Sequence, residues 1–380
     1  MTAQNLKGSP ENPVYKRLAQ RLDTIPNGFP ATESGVELKI LAKLFAPEEA
    51  AVALRLKLTP ELPEEIAERT GDSTQELEVV LSGMAGRGLI REKHSREKTS
   101  YGLMPFVVGI YELQLEHMDE EFARLFEDYY KEAFHRLLTV QPSVQRVIPV
   151  EQNVPADIEV MPYELASKLL GEAKSWGVMD CICRKQKKLI GEGCDHPLDV
   201  CMIFSKRPGT FDESEVVRAL TEDEALGVLR RAEEAGLVHT VGNTQRGVFY
   251  VCNCCTCSCA ILRGVAEYGI MGAVAPSGFQ AHVDEALCTG CELCLDRCQF
   301  DALSVVDGCC KVDEQRCFGC GLCITACADE ALSLVPRPAD RVTPPPQSMP
   351  DWMKERAEVR ELDMGQLEDV IGKLISKKIS

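Results

Sequence analysis

The stretch VDEALCTGCELCLDRCQFDALS, residues 283–304, returns 29 residues later as VDEQRCFGCGLCITACADEALS, residues 312–333. A repeat at fixed period means two copies of one unit that share a core. Each copy carries the run C-x2-C-x2-C-x3-C, at Cys288, Cys291, Cys294 and Cys298, and again at Cys317, Cys320, Cys323 and Cys327. Three thiolates at this spacing can wrap one corner of an iron–sulfur cube, while the fourth points away and reaches the cube of the other run. The spacing therefore predicts one [4Fe-4S] cluster on Cys288, Cys291, Cys294 and Cys327, and a second on Cys317, Cys320, Cys323 and Cys298. Zinc is the rival for such residues. Its sites, however, usually pair elements that end after two cysteines.

These two runs resemble the bacterial two-cluster ferredoxin, over residues 279–336 alone. The resemblance implies a ferredoxin-like 2[4Fe-4S] domain that exchanges single electrons. One departure stands out. The family usually places proline after the fourth cysteine of each run, and here Gln299 and Ala328 occupy those positions. A backbone N–H returns near the sulfurs, and hydrogen bonds to sulfur are one lever on reduction potential.

Nineteen cysteines in 380 residues exceed ordinary usage, and the length allows two or three domains. The opening MTAQNLKGSP has neither an apolar signal core nor a twin arginine, and no run approaches the roughly 18 apolar residues of a membrane span. A reduced, cytoplasmic protein whose thiols hold metal is the expectation. The formal net charge is −17, and residues 282–336 contain ten acidic side chains against three basic ones. That balance predicts a redox partner with a basic docking face and disfavours nucleic acid.

Taken in order, residues 1–30 read as an arm with one short helix from Tyr15 to Leu22. Residues 31–105 give three helical segments, around Leu38 to Phe45, Pro60 to Arg69 and Ser73 to Met84, then two strands around the polar loop Lys93 to Ser100. The pattern resembles a winged helix-turn-helix. Its would-be reading helix carries Gln75, Glu76 and Glu78 and no basic residue before Arg87, which opposes phosphate approach. Protein docking or dimerisation is the better use. From Phe106 to Leu138 the apolar pattern predicts one long helix, which would lie across the preceding domain or pair with its copy in a homodimer. Pro142, Pro149 and Pro155 then mark an extended crossing, so residues 106–155 form a long helix and linker.

Residues 156–278 make a cysteine-rich module. A helix from Tyr163 to Trp176 is expected to run into a strand that sets Cys181 and Cys183 on one face. Cys194 and Cys201 follow, and His196 between them reads as an ordinary loop histidine. A helix over 213–235 and a hairpin of Leu237 to Val241 with Val248 to Val251 repeat the helix-then-wing outline, and the second strand delivers Cys252, Cys254, Cys255, Cys257 and Cys259. Five cysteines in eight residues have no packing explanation. The elements CxCR, CxxPxxxC and CNCCxCxC resemble iron–sulfur proteins of anaerobic bacteria that place this module before a two-cluster ferredoxin. The nine thiols would hold one or two further Fe–S clusters, with the grouping open. Cys309 and Cys310 lie outside the repeat and read as packing residues.

Residues 337–350 are a proline-rich spacer, and residues 351–380 an amphipathic tail helix with Leu367, Val370, Ile371 and Leu374 on one face. The fold class is α+β: a winged-helix-like domain, a middle α/β cysteine-rich module and the C-terminal ferredoxin-like domain. Neither GxGxxG nor GxxxxGK[ST] occurs, so no nucleotide chemistry is assigned. The chain reads as a polyferredoxin-like electron-transfer protein. Two alternatives stand beside it: a reductase or activase with an open-site cluster in the middle module, and a redox-sensing winged-helix regulator.

Overall fold

The computed structural model describes residues 8–95, 98–154, 160–363, 365 and 367. The chain divides into two compact units, one of Met1–Leu137 with Met353–Ser380, the other of Leu138–Trp352.

The first unit is built from helices. α1 (Pro13–Asp23) starts where the Asn12 side chain accepts from the Val14 N–H, with proline preset at the first position. It buries Tyr15, Leu18, Ala19 and Leu22, and the Tyr15 hydroxyl donates to the Phe45 carbonyl at 2.9 Å. From Pro13 onward the expected arm is core instead. α2 (Val36–Leu44), α3 (Pro47–Ala53), α4 (Pro63–Thr70) and α5 (Thr74–Gly86) follow, then β1 (Arg91–Ser95) and β2 (Lys98–Gly102). These strands pair antiparallel through the stretch expected to be a polar loop. A bridge from Glu61 to Tyr101 extends the hairpin by one rung.

The apolar pattern from Phe106 does not make one helix. The backbone leaves helical angles at Val107, Val108 and Gly109, and Glu112–His117 form a 3-10 turn. Asp119 then starts α6 (Glu120–Tyr129) by accepting from the Phe122 N–H at 2.8 Å. α7 (His135–Leu137) closes the segment. The break lets the chain fold back on its own aromatic residues: Tyr111 stacks on Phe126 at 3.9 Å, and Phe29 meets Phe106 at 4.7 Å. On one straight rod Tyr111 and Phe126 would stand roughly 22 Å apart.

The second unit has a seven-stranded sheet and, after it, the duplicated segment. β3 (Gln145–Val147) lies within the expected extended crossing. α8 (Ala166–Gly171) ends early, and Trp176 already belongs to β4 (Ser175–Asp180). Cys181 is the N-cap residue of α9 (Ile182–Leu189), so Cys181 and Cys183 sit at a helix start, not along a strand. β5 (Asp199–Ser205), β6 (Arg218–Leu220), α10 (Glu222–Glu234), β7 (Val238–Gly242), β8 (Tyr250–Cys254), α11 (Leu262–Tyr268) and β9 (Val274–Ala275) complete it. The order is β6-β4-β5-β8-β7-β3-β9, antiparallel except for the β3–β9 pair. The β7–β8 hairpin is thus interior to a sheet and not a wing. α10, held by a Thr221–Glu224 capping box, packs Ala225, Val228, Leu229 and Ala232 onto Val200, Met202, Phe204 and Val251. Strand alternation turns Cys201, Cys252 and Cys254 to the opposite face.

β10 (Phe279–Val283), β11 (Leu303–Val306), β12 (Cys309–Val312), α12 (Leu322–Thr325) and β13 (Leu332–Pro336) form the duplicated segment. The proline-rich stretch is tied down: Gln245 and Arg246 donate their backbone N–H groups to Pro346 and Gln347 carbonyls at 2.9 and 3.1 Å. α13 (Met349–Val359) follows, with Trp352 Nε1 on the Ser143 carbonyl at 2.9 Å. Apart from residues 363, 365 and 367, the amphipathic stretch from Asp363 to Ile379 lies outside the described residues. No helix among the described residues is long and apolar enough to cross a membrane.

Candidate metal centres

The two copies of the repeat are related residue by residue. β10 pairs with β13, and its counterpart β12 pairs with β11, the counterpart of β13. Asp284 N–H donates to Ala331 O, and Asp313 N–H to Ala302 O, both at 2.8 Å. Positive φ angles recur in pairs: Gly290 with Gly319, Glu292 with Gly321, Asp301 with Glu330. At Gly290 and Gly319 a side chain is excluded, because a Cβ would stand 2.4 Å from the Gly308 carbonyl and 2.0 Å from the Phe279 carbonyl.

This geometry opens two cavities of matching size, as a duplication requires. Cys288, Cys291, Cys294 and Cys327 line the first; Cys298, Cys317, Cys320 and Cys323 line the second. The fourth cysteine of each run thus faces the cavity of the other run. Backbone donors meet the sulfurs in matched fashion: Ala302 N–H on Cys298 and Ala331 N–H on Cys327 at 3.3 Å, Cys310 N–H on Cys288 at 3.3 Å and Ala281 N–H on Cys317 at 3.4 Å. Four thiolates around one space, two of them in each cavity met by backbone donors, fit a [4Fe-4S] cluster by donor chemistry. Burial pushes Cys320 up to about 12 and Cys323 well above the ordinary thiol value. Such groups stay protonated at neutral pH until a metal displaces the proton.

The two cavities differ in what covers them. Cys310 stands where the other copy has Ala281, and its Sγ lies 3.7 Å from Cys294 Sγ, so a fifth thiol lines the first cavity. Beside that cavity Cys291 is exposed, with Leu287 and Leu293 about half exposed. The second is covered by the rest of the unit. Val150 N–H donates to Cys320 O at 2.8 Å, and Asn153 Nδ2 to Gly321 O at 2.9 Å. Gln299 Nε2 reaches Gly236 O at 3.1 Å, while its Oε1 accepts from Thr256 N–H at 3.1 Å and from the Thr256 hydroxyl at 2.9 Å. Gln299 therefore binds the duplicated segment to the residue between Cys255 and Cys257.

The nine thiols of the middle module fall into two sets. Cys181, Cys183, Cys259, Cys254, Cys252 and Cys201 form a closed ring, each in side-chain contact with the next. The start of α9, β5, β8 and the turn before α11 each supply members. Contact with Cys183 holds both Cys181 and Cys259 well below the ordinary thiol range. For Cys259 the Leu262 and Ile261 N–H groups at the start of α11 add to this. The other set is Cys194, His196, Cys255 and Cys257, whose ligand atoms all lie within 4.8 Å of one another. Between the sets stands the buried Arg184, which donates to Pro197 O at 2.9 Å and Asn253 O at 2.5 Å. Burial works against its charge, but Cys181 and Cys255 keep the guanidinium protonated.

From the sequence His196 reads as a loop residue, Arg184 as one basic residue beside Cys183 that offsets cluster charge, and Gln299 as a departure that returns a backbone N–H near the sulfurs; the paired glycines carry no site role there. The glycines had a signal, the same position in both copies. His196 had none, since its partners come from 61 residues away or from its own near neighbour.

A family model for a 4Fe-4S binding domain matches residues 281–304, the first copy of the repeat. The chain thus contains a ferredoxin-type iron–sulfur domain near its C-terminus. No curated protein and no solved structure matches the chain.

Proposed function

We propose that the protein relays single electrons through two [4Fe-4S] clusters and an iron–sulfur centre in the middle module. The observation that carries this is the pair of equal cavities, each lined by three cysteines of one run and the fourth of the other. When bound, a [4Fe-4S] cluster supplies a reversible one-electron centre. The residues of the chain do the rest. Cys288, Cys291, Cys294 and Cys327 hold one cluster, and Cys317, Cys320, Cys323 and Cys298 the other, while the paired N–H donors tune the charge on Cys288, Cys298, Cys317 and Cys327. The six-thiol ring holds the middle centre, with Arg184 offsetting its negative charge.

Cover and exposure give the relay a direction. The first cavity, with exposed Cys291, Leu287 and Leu293 amid acidic residues, is the docking end for a partner that presents basic residues. The second cavity faces the middle module through Gln299 and Thr256. The helices and hairpin of residues 31–105 serve as a winged-helix-like docking element. The exposed side of α5 presents Gln75, Glu76, Glu78 and Val79, a surface suited to protein and hostile to phosphate.

Anaerobic iron and sulfide analysis joined to electron paramagnetic resonance during a redox titration tests the reading. About eight irons per chain load the two cavities, and about twelve or more include the ring, at four per cubane. A colourless protein with zinc in the duplicated segment would remove it.

A further inference from the structure

We infer that Cys194, His196, Cys255 and Cys257 bind a single zinc ion, separate from any iron–sulfur centre. Distance is the first argument. Cys194 Sγ lies 3.9 Å from Cys255 Sγ, and Cys257 Sγ lies 3.8 Å from His196 Nδ1. Ligands about 2.3 Å from a tetrahedral zinc stand about 3.8 Å apart, the edge of that tetrahedron. All four donor atoms lie within 4.8 Å of one another, within the reach of one ion.

The donor set is the second argument. Three thiolates and one imidazole make a closed four-coordinate site of the kind structural zinc takes, with no position left for substrate. Three thiolates on a divalent ion leave one net negative charge, and the buried Arg184 in contact with Cys255 offsets it. The Ser258 hydroxyl, 3.4 Å from Cys194 Sγ, adds a hydrogen bond to a ligand sulfur.

Topology is the third. Cys254 and Cys255 are adjacent at the end of β8 and turn opposite ways, so one cysteine run serves two sites. Cys252, Cys254 and Cys259 join the ring; Cys255 and Cys257 join the loop residues Cys194 and His196. The ion would staple the loop after α9 to the turn after β8 and so hold three ring thiols in register. Zinc has one oxidation state here, so the staple keeps its shape while neighbouring centres change charge.

The test uses the full chain purified anaerobically, with metal analysis and X-ray absorption at the zinc edge. The expected result is about one zinc per chain with three sulfurs near 2.3 Å and one nitrogen near 2.0–2.1 Å. His196→Cys keeps the zinc and changes its shell to four sulfurs. Cys255→Ser with Cys257→Ser lowers zinc at least about fivefold and leaves iron unchanged, by loss of half the ligands. Zinc near zero in the unaltered chain, or about four irons lost in the double variant, would overturn the site in favour of a cluster. If the double variant does not fold, the shell change in His196→Cys decides alone. The relay is read from iron and this site from zinc, so either can fail without the other.

Discussion

Cys298 and Cys327 close one run of cysteines and line the cavity that belongs to the other. Replacing Cys298 with serine should therefore cost one to about four irons from the centre held by Cys317, Cys320 and Cys323, and leave the centre of its own run intact. Iron analysis with electron paramagnetic resonance checks this, and damage confined to the Cys288 end would refute the exchange. Gln299→Pro should shift the potential of one centre and loosen the duplicated segment, because it removes three hydrogen bonds to Thr256 and Gly236. A redox titration unchanged within error would deny Gln299 that role. Ligand spacing within a run was legible because the chemistry is local. What Arg184 and His196 reach was not, since Asn253 and Cys257 lie 69 and 61 residues along the chain, and the nearby Cys183 and Cys194 do not reveal them.

Among the elements, the turns that carry the runs depend on glycine. At Gly319 the backbone has φ +68° and a Cβ would overlap the Phe279 carbonyl, so Gly319→Ala should cost roughly 1–3 kcal/mol and reduce loading at the second cavity. Urea unfolding and iron content would measure both. The β7–β8 pair carries a pH dependence. Burial depresses the pKa of His239, whose Nδ1 lies 2.5 Å from Asn253 Oδ1. The unfolded chain then binds a proton more readily than the fold. Stability is complete above the unfolded value of about 6.5 and is lost as pH falls from there through the folded one. The unfolding midpoint should drop between pH 7 and pH 5, less so in His239→Gln; equal slopes would place the effect elsewhere. The helices α1 and α10 were expected from their apolar spacing, but their starts were not: the Asn12 and Thr221 caps went unread, and residues expected to be helical from 213 include the strand β6. The break after Phe106 was not legible either, because packing of Tyr111 on Phe126 decides it and periodicity is blind to such a fold-back.

For the molecule as a whole, the sequence suggested a series of domains, yet the first unit takes residues from both ends of the chain. Arg356, buried on α13, donates to Pro26 O at 3.0 Å and to Leu137 O at 2.8 Å. Arg356→Met should destabilise the first unit by about 2–3 kcal/mol, since two buried carbonyls lose a charged donor; calorimetry would see its transition move. The charge of −17 should make a cationic metal complex a faster oxidant of the reduced protein than an anionic one of equal driving force, about tenfold at low salt, with the advantage vanishing at high salt. Stopped-flow rates at two ionic strengths would decide. A further consequence lies in the first and last strands of the duplicated segment, where Phe279 is the register partner of Pro336. The polypeptide enters and leaves that segment through one doorway. Such a piece can be acquired, lost or circularly permuted as a cassette, with the host sheet's own strand order left as it was.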